Sequence, residues 1–159
     1  MASRWDAGDG IETPYSWLRL IIAILVGTIG GVGMWSVVVA LPAVQAEFGT
    51  GRGNASLPYT LVMLGFAGGG VVMGRLSDKR GITLPLIIGA VALGVGYTLA
   101  ALSPNIWVFI IIHGVLIGAL GSSASFGPLM SDTSLYFSKR RGLAVALCAC
   151  GSYFAGAVW

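Results

Sequence analysis

Four long stretches of this 159-residue chain carry no Lys, Arg, Asp or Glu. Leu20 to Ala46 is 27 residues, Gly53 to Gly74 is 22, Gly81 to Ser131 is 51 and Gly142 to Trp159 is 18. The third is broken near its middle by Ser103-Pro104-Asn105, a turn sequence. A helix needs about 20 apolar residues to cross the hydrocarbon core of a bilayer. The runs therefore predict five helical spans, near residues 20–44, 55–76, 83–102, 106–130 and 142–159. Each must be helical, because lipid offers an unpaired backbone N–H or C=O no partner. Charged residues are 9% of the chain and hydrophobic residues 56%, whereas an average soluble domain is roughly 25% charged. The expected fold is an all-α membrane protein. Residues 1–17 form a cytoplasmic N-terminal segment, and residues 18–159 form a transmembrane bundle that stops within or at the end of its fifth helix.

The first run is too long for the apolar core of a signal peptide, and Asp6, Asp9 and Glu12 precede it. Asn54 or Ser56 is expected to cap the second span, with Pro58 in its first turn, where a missing N–H costs nothing. That capping role is preferred to a glycosylation reading of Asn54-Ala55-Ser56. Thr83 and Pro85 repeat the pattern at the third span. Pro42 and Pro128 should bend the ends of theirs. Trp107, with Trp5 or Trp17, suits an interfacial anchor.

Lys and Arg in short loops set orientation. Arg4, Arg19, Arg75, Lys79, Arg80, Lys139, Arg140 and Arg141 fall at one end of the expected bundle, and only Arg52 at the other. The first end should face the cytoplasm, as should the N-terminus. The same distribution argues against nucleic acid as a partner, since the basic residues flank apolar runs rather than forming a patch. The expected partner is a lipid bilayer. Cys148 and Cys150 lie about 200° apart on a helix and read as packing residues, not as a redox or metal pair. No hydrolase, zinc or phosphate-binding pattern is present, so neither catalysis, a cofactor nor a metal site is expected.

Glycines spaced by four, at Gly27/Gly31, Gly65/Gly69, Gly70/Gly74 and Gly114/Gly118, predict close helix contacts in lipid. Gly114, Gly118, Gly121, Ser122 and Ser125 fall within about 100° of one helical face. That face predicts a tight helix contact, a wall of a substrate path, or both. His113 is the only histidine, and an ionisable group inside a span is a candidate functional residue. A neutral His bonded to a neighbouring helix is the plainer alternative. Trp35 and Ser36 complete the candidate substrate path.

Between the second and third spans, Asp78 stands among Arg75, Lys79 and Arg80. Acidic residues contribute little to topology, so Asp78 needs another role. Gly74, Leu76, Ser77, Asp78 and Gly81 resemble the loop signature between the second and third helices of the major facilitator superfamily. Lys79 replaces the usual Arg, and Ile82 and Thr83 replace a trailing basic pair. Tyr136, Phe137, Lys139, Arg140, Arg141, Leu143, Ala144, Ala149 and Gly151 resemble the fifth-helix signature of its monocarboxylate-transporter-like branch. "GGVGMW" weakly echoes that branch's first helix.

The resemblance covers about residues 17–159 and implies the N-terminal half of a transporter in a plasma or inner membrane. It implies a small organic anion, such as a monocarboxylate, as substrate, moved by alternating access with proton symport or exchange. Gly74, Asp78, Lys79, Arg80 and Gly81 would latch the two halves, of which the C-terminal one is missing here. The branch's first-helix lysine has no counterpart. The alternative expectation is a small membrane scaffold or interaction protein that packs through its glycine faces and transports nothing.

Overall fold

The computed structural model describes residues 12–159, so the expectations placed on Arg4, Trp5, Asp6 and Asp9 lie outside the described residues. The described residues fold into helices and connecting turns, without strands. Five helical segments are long and apolar enough to cross a bilayer: Pro14–Val39, Arg52–Arg80, Thr83–Ala101, Ile106–Leu135 and Arg141–Val158, termed spans 1 to 5.

Spans 3 and 5 match the charge-free runs closely. Spans 1, 2 and 4 overrun them. Span 1 already begins at Pro14 and takes in Arg19; span 2 runs from Arg52 to Arg80; span 4 reaches Leu135 and takes in Asp132. Lipid thickness limits the apolar length, not the helix. A backbone that stays hydrogen-bonded gains by continuing until a turn residue stops it.

Helix ends follow local chemistry. Thr13 caps span 1, its hydroxyl accepting from the Ser16 N–H, with Pro14 in the first turn. Asn105 caps span 4 by accepting from the Val108 N–H at 3.0 Å. The expected cap of span 2 is corrected: Gly51 precedes the helix without a side-chain bond, and the Ser56 hydroxyl donates to the Gly53 carbonyl. Pro58 accordingly lies inside that helix, buried, rather than in its first turn. Span 3 starts at Thr83 after Ile82, also without a side-chain cap, and Pro85 is in its first turn. The expected turn over Gly74–Gly81 is also mostly helix. It ends only at Gly81, whose φ of 79° suits glycine alone. Pro42 and Pro128 do mark breaks. Each sits in the first turn of a new helix, Leu41–Phe48 and Gly127–Leu135, where its ring meets no preceding turn.

The bundle is inside out relative to a soluble domain. Leu18, Ile21, Leu25, Val91, Val95, Ile111 and Phe154 are exposed, whereas Ser122, Ser123, Ser125 and Thr133 are buried. Small residues carry the contacts, because lipid leaves no hydrophobic drive between helices and close approach must supply the energy. Span 2 packs on span 4, span 1 on span 5, and span 3 on span 4. Added side chains at Gly65 and Gly69 would collide with the backbone at Gly114 and Ala119, and at Gly151 with that of Ile24. Gly27 and Gly31 approach Ser152 and Ala155. Gly70 and Gly74 face open space, which corrects the expectation for that pair.

Span 4 departs most from regular geometry. Between the α-helix Ile106–Ile112 and the break at Ser125–Phe126 it forms a π-helix, His113–Ser122. The wider turns change the phase, so the expected Gly/Ser face is split. Gly114 and Gly118 meet Leu61 and Val62 of span 2, Gly121 meets Leu93 of span 3, and Ser122 and Ser125 meet Gly33 and Gly30 of span 1.

Candidate substrate-binding site

A concavity of about 310 Å³ opens where four spans meet. Span 1 contributes Met34 and Trp35, span 2 Tyr59 and Phe66, span 4 Phe126, and span 5 Ser152 and Tyr153. Phe66 is the middle residue of its 29-residue helix, which places the concavity near the mid-length of span 2. The concavity lies between two packed pairs, span 2 on span 4 and span 1 on span 5. Its lining is aromatic, and no Lys, Arg, Asp or Glu takes part.

Trp35 is held from two sides. Its indole N–H donates to the Ser152 carbonyl at 2.9 Å. One ring edge and face lie against Gly156, where a Cβ would come within 3.0–3.3 Å of three indole carbons. Phe66 and Phe126 pair edge to face at 5.5 Å. A cavity of about 410 Å³ between spans 1, 3 and 4 has less chemistry to offer. Aliphatic residues such as Val26, Leu86 and Leu93 line it, and the Ser125 hydroxyl beside it is committed to the Ser122 carbonyl at 3.0 Å.

Of the other residues singled out from the sequence, none lines the aromatic concavity. Ser36 lies 2.5 Å from the Tyr97 hydroxyl, which itself donates to the Val32 carbonyl at 3.0 Å. With its one proton so used, Tyr97 accepts from Ser36. His113 is buried, with Nδ1 2.9 Å from the Phe109 carbonyl and its ring against Phe109 and Tyr97. Its bond stays within span 4 rather than reaching a neighbouring helix. Ser122 Oγ is buried without a hydrogen-bond partner among the described residues. Cys148 and Cys150 are free thiols, the first buried and the second exposed.

The basic end of the bundle holds a contact that the sequence reading did not assign. Arg19 of span 1 grips Asp132 of span 4: Nη2 donates at 2.9 and 2.7 Å to the two carboxylate oxygens, and Nε at 3.2 Å to one of them. The guanidinium lies 4.3 Å from the Tyr136 ring centroid. Both side chains are about a quarter exposed, at 30% and 21%, so solvent screens the pair only in part. Nearby, Glu12 accepts from the Arg140 N–H at 2.7 Å, and Arg141 donates to Ser134 at 3.1 Å. Opposite charges at the same end of two spans were the available signal. Asp132→Ala is expected to lower stability by about 1.5–3 kcal/mol. A double-mutant cycle with Arg19→Ala, read by thermal unfolding in detergent, should give a coupling of about 1–2 kcal/mol. Additive effects would contradict the pairing.

Asp78, Lys79 and Arg80 are exposed in the last turns of span 2, and Gly74 is in the same helix. Asp78 has no hydrogen-bond or ion-pair partner among the described residues. Lys139, Arg140 and Arg141 are exposed before and at the start of span 5, while Gly151 is buried against Ile24.

Comparison with known proteins is consistent with this architecture. An uncharacterized MFS-type transporter of Escherichia coli is 30% identical over 152 residues, covering 92% of this chain and 37% of the relative. An MFS-type transporter of Gibberella zeae is 37% identical over 83 residues, covering 52% of this chain and 19% of the relative. The riboflavin transporter of Saccharomyces cerevisiae is 32% identical over 89 residues, covering 56% of this chain and 17% of the relative. The chain thus spans between about a sixth and just over a third of these relatives' lengths. The relatives are transporters rather than enzymes. The sequence profile of the Major Facilitator Superfamily matches residues 23–158, most of the chain, and this multi-pass, all-helical membrane protein belongs to that family.

Proposed function

We propose that this chain forms one wall of a secondary transporter that carries a small organic anion, such as a monocarboxylate, by alternating access. The observation that carries the proposal is the concavity where spans 1, 2, 4 and 5 meet, near the mid-length of span 2 and between the packed pairs of spans 2 and 4 and of spans 1 and 5. Transporters of this kind place their site near the midplane between repeats and rock around it. A C-terminal half supplies the opposing wall. It also supplies the positive group that an anion requires, because no basic residue lines the concavity on this side. Proton symport or exchange is the proposed coupling. His113, buried with its ring edge to face with that of Tyr97, is the group proposed to carry the proton. Ser122 and Ser125 belong to the sliding contact with span 1 that this motion needs.

The relatives' names support transport but differ in cargo, since riboflavin appears among them. The fifth-helix likeness, through Lys139, Arg140, Arg141 and Gly151, supports the monocarboxylate-like branch. The protein resides in a plasma or inner membrane with the basic end in the cytoplasm. In a Cys148→Ala, Cys150→Ala background, Ser138→Cys should react with an impermeant thiol reagent only from the cytoplasmic side, and Asn54→Cys only from outside. Both are exposed, at opposite ends of the bundle. Reversed labelling would overturn the orientation.

The test of function is uptake by the full-length protein in liposomes, over a panel of organic acids with and without a proton gradient. Saturable, gradient-dependent uptake of a monocarboxylate is expected. Uptake that ignores the gradient would remove the coupling, and no uptake of any acid would remove the substrate class.

A further inference from the structure

We infer that the aromatic concavity is a ring-stacking subsite, so that the preferred cargo carries a planar aromatic ring beside its acid group. The inference rests on the proposed transport function and narrows its substrate. It begins with Trp35. The indole is already immobilised, with its N–H bonded to the Ser152 carbonyl at 2.9 Å and one side against Gly156. It remains half-buried and lines the concavity. A ring stacking on it therefore need not first order the indole, and preorganisation of this kind favours binding. Even a Cβ at Gly156 would require the indole to shift by a few tenths of an ångström.

The rest of the lining fits the same ligand. Phe66 and Phe126 meet edge to face, with centroids 5.5 Å apart, and offer a ring edges as well as faces. Tyr59 and Tyr153 enter from spans 2 and 5, and Tyr153 is 68% exposed, free to turn onto a bound ring. Most of the exposed large side chains elsewhere on the bundle are aliphatic, whereas this wall gathers five aromatic ones. A volume of about 310 Å³ is at the lower end for ligand sites, which suits one ring or a fused pair. An aliphatic acid of three or four carbons would leave most of these ring surfaces unused.

Matched pairs test the idea. Benzoate and cyclohexanecarboxylate share a carboxylate and a six-membered ring but differ in aromaticity; 2-naphthoate extends the first, and lactate lacks a ring. Binding of each to the purified full-length protein is measured by isothermal titration, and uptake is measured separately in liposomes. Benzoate should bind about tenfold more tightly than cyclohexanecarboxylate. Trp35→Ala should bring that ratio close to one, and Trp35→Phe should keep part of it. Tyr153→Ala, at an exposed position that the fold does not need, should reduce the ratio about twofold to fivefold. A ratio near one in the unaltered protein overturns the inference, as does an unchanged ratio in Tyr153→Ala and a folded Trp35→Ala. Absence of binding by either aromatic acid at millimolar concentration also overturns it. Aromatic-selective binding without uptake of any acid would leave the subsite standing and remove the transport reading. Uptake without aromatic preference would do the reverse.

Discussion

Gly65→Val should abolish recovery of folded protein, while Gly70→Val, five residues along the same helix, should leave it near the unaltered level. A Cβ at Gly65 would overlap the Gly114 carbonyl and lie 3.0 Å from the Ala119 nitrogen. Both are backbone atoms of span 4, so no rotamer change can clear them. Spans 2 and 4 would have to separate, and with them the largest helix contact in the bundle. Overpacking against side chains costs about 1–3 kcal/mol; against backbone the cost should reach the top of that range. Gly70 faces open space, so its variant adds a side chain that meets nothing among the described residues. The readout is the monodisperse fraction in detergent by size exclusion. Equal recovery of the two variants would contradict the packing described.

A second large effect concerns Asp78, and it should appear in transport without appearing in stability. Asp78 is a carboxylate two residues before the end of the helix Arg52–Arg80, where the macrodipole disfavours negative charge. Arg75, Lys79 and Arg80 stand close by in the same helix, but none of them forms an ion pair or hydrogen bond with it among the described residues. We propose that its partner lies on the opposing half, where it latches one transport conformation. Asp78→Asn should then leave the melting temperature unchanged or slightly raised and lower uptake by the full-length protein about tenfold to a hundredfold. That range corresponds to losing one charge-assisted contact of about 1.5–3 kcal/mol. Lower stability with unchanged uptake would mean a local structural role instead.

Much of the fold could be read from where charge is absent. A chain in lipid must hide its backbone in helices, so charge-free length maps directly onto spans. Helix ends were less legible, because nothing in a charge count tells a helix to stop at a membrane surface. Arg19, Asp132 and Asp78 all sit in helix beyond the apolar limits. The Gly/Ser face was legible in composition but not in direction. Its geometry assumed regular α-helix, and the π-helix at His113–Ser122 turned Gly121 toward span 3 and Ser122 toward span 1. Trp35 could be singled out because glycines lead into it in "GGVGMW". Tyr59, Phe66, Phe126 and Tyr153 could not, since they come from three different spans and only tertiary packing brings them around Trp35.

The central claim is that the face formed by spans 1, 2, 4 and 5 borders a path reached from each side of the membrane in turn. Cysteine accessibility tests it most directly. In full-length protein lacking Cys148 and Cys150, Tyr59→Cys and Tyr153→Cys would report the concavity, and Val91→Cys the lipid-facing side of span 3. Impermeant thiol reagent applied from either side of sealed vesicles should label both concavity positions, at rates that respond oppositely to Asp78→Asn, and should leave Val91→Cys unlabelled. Concavity positions that react from neither side, as at Val91, or from one side alone, would contradict the account.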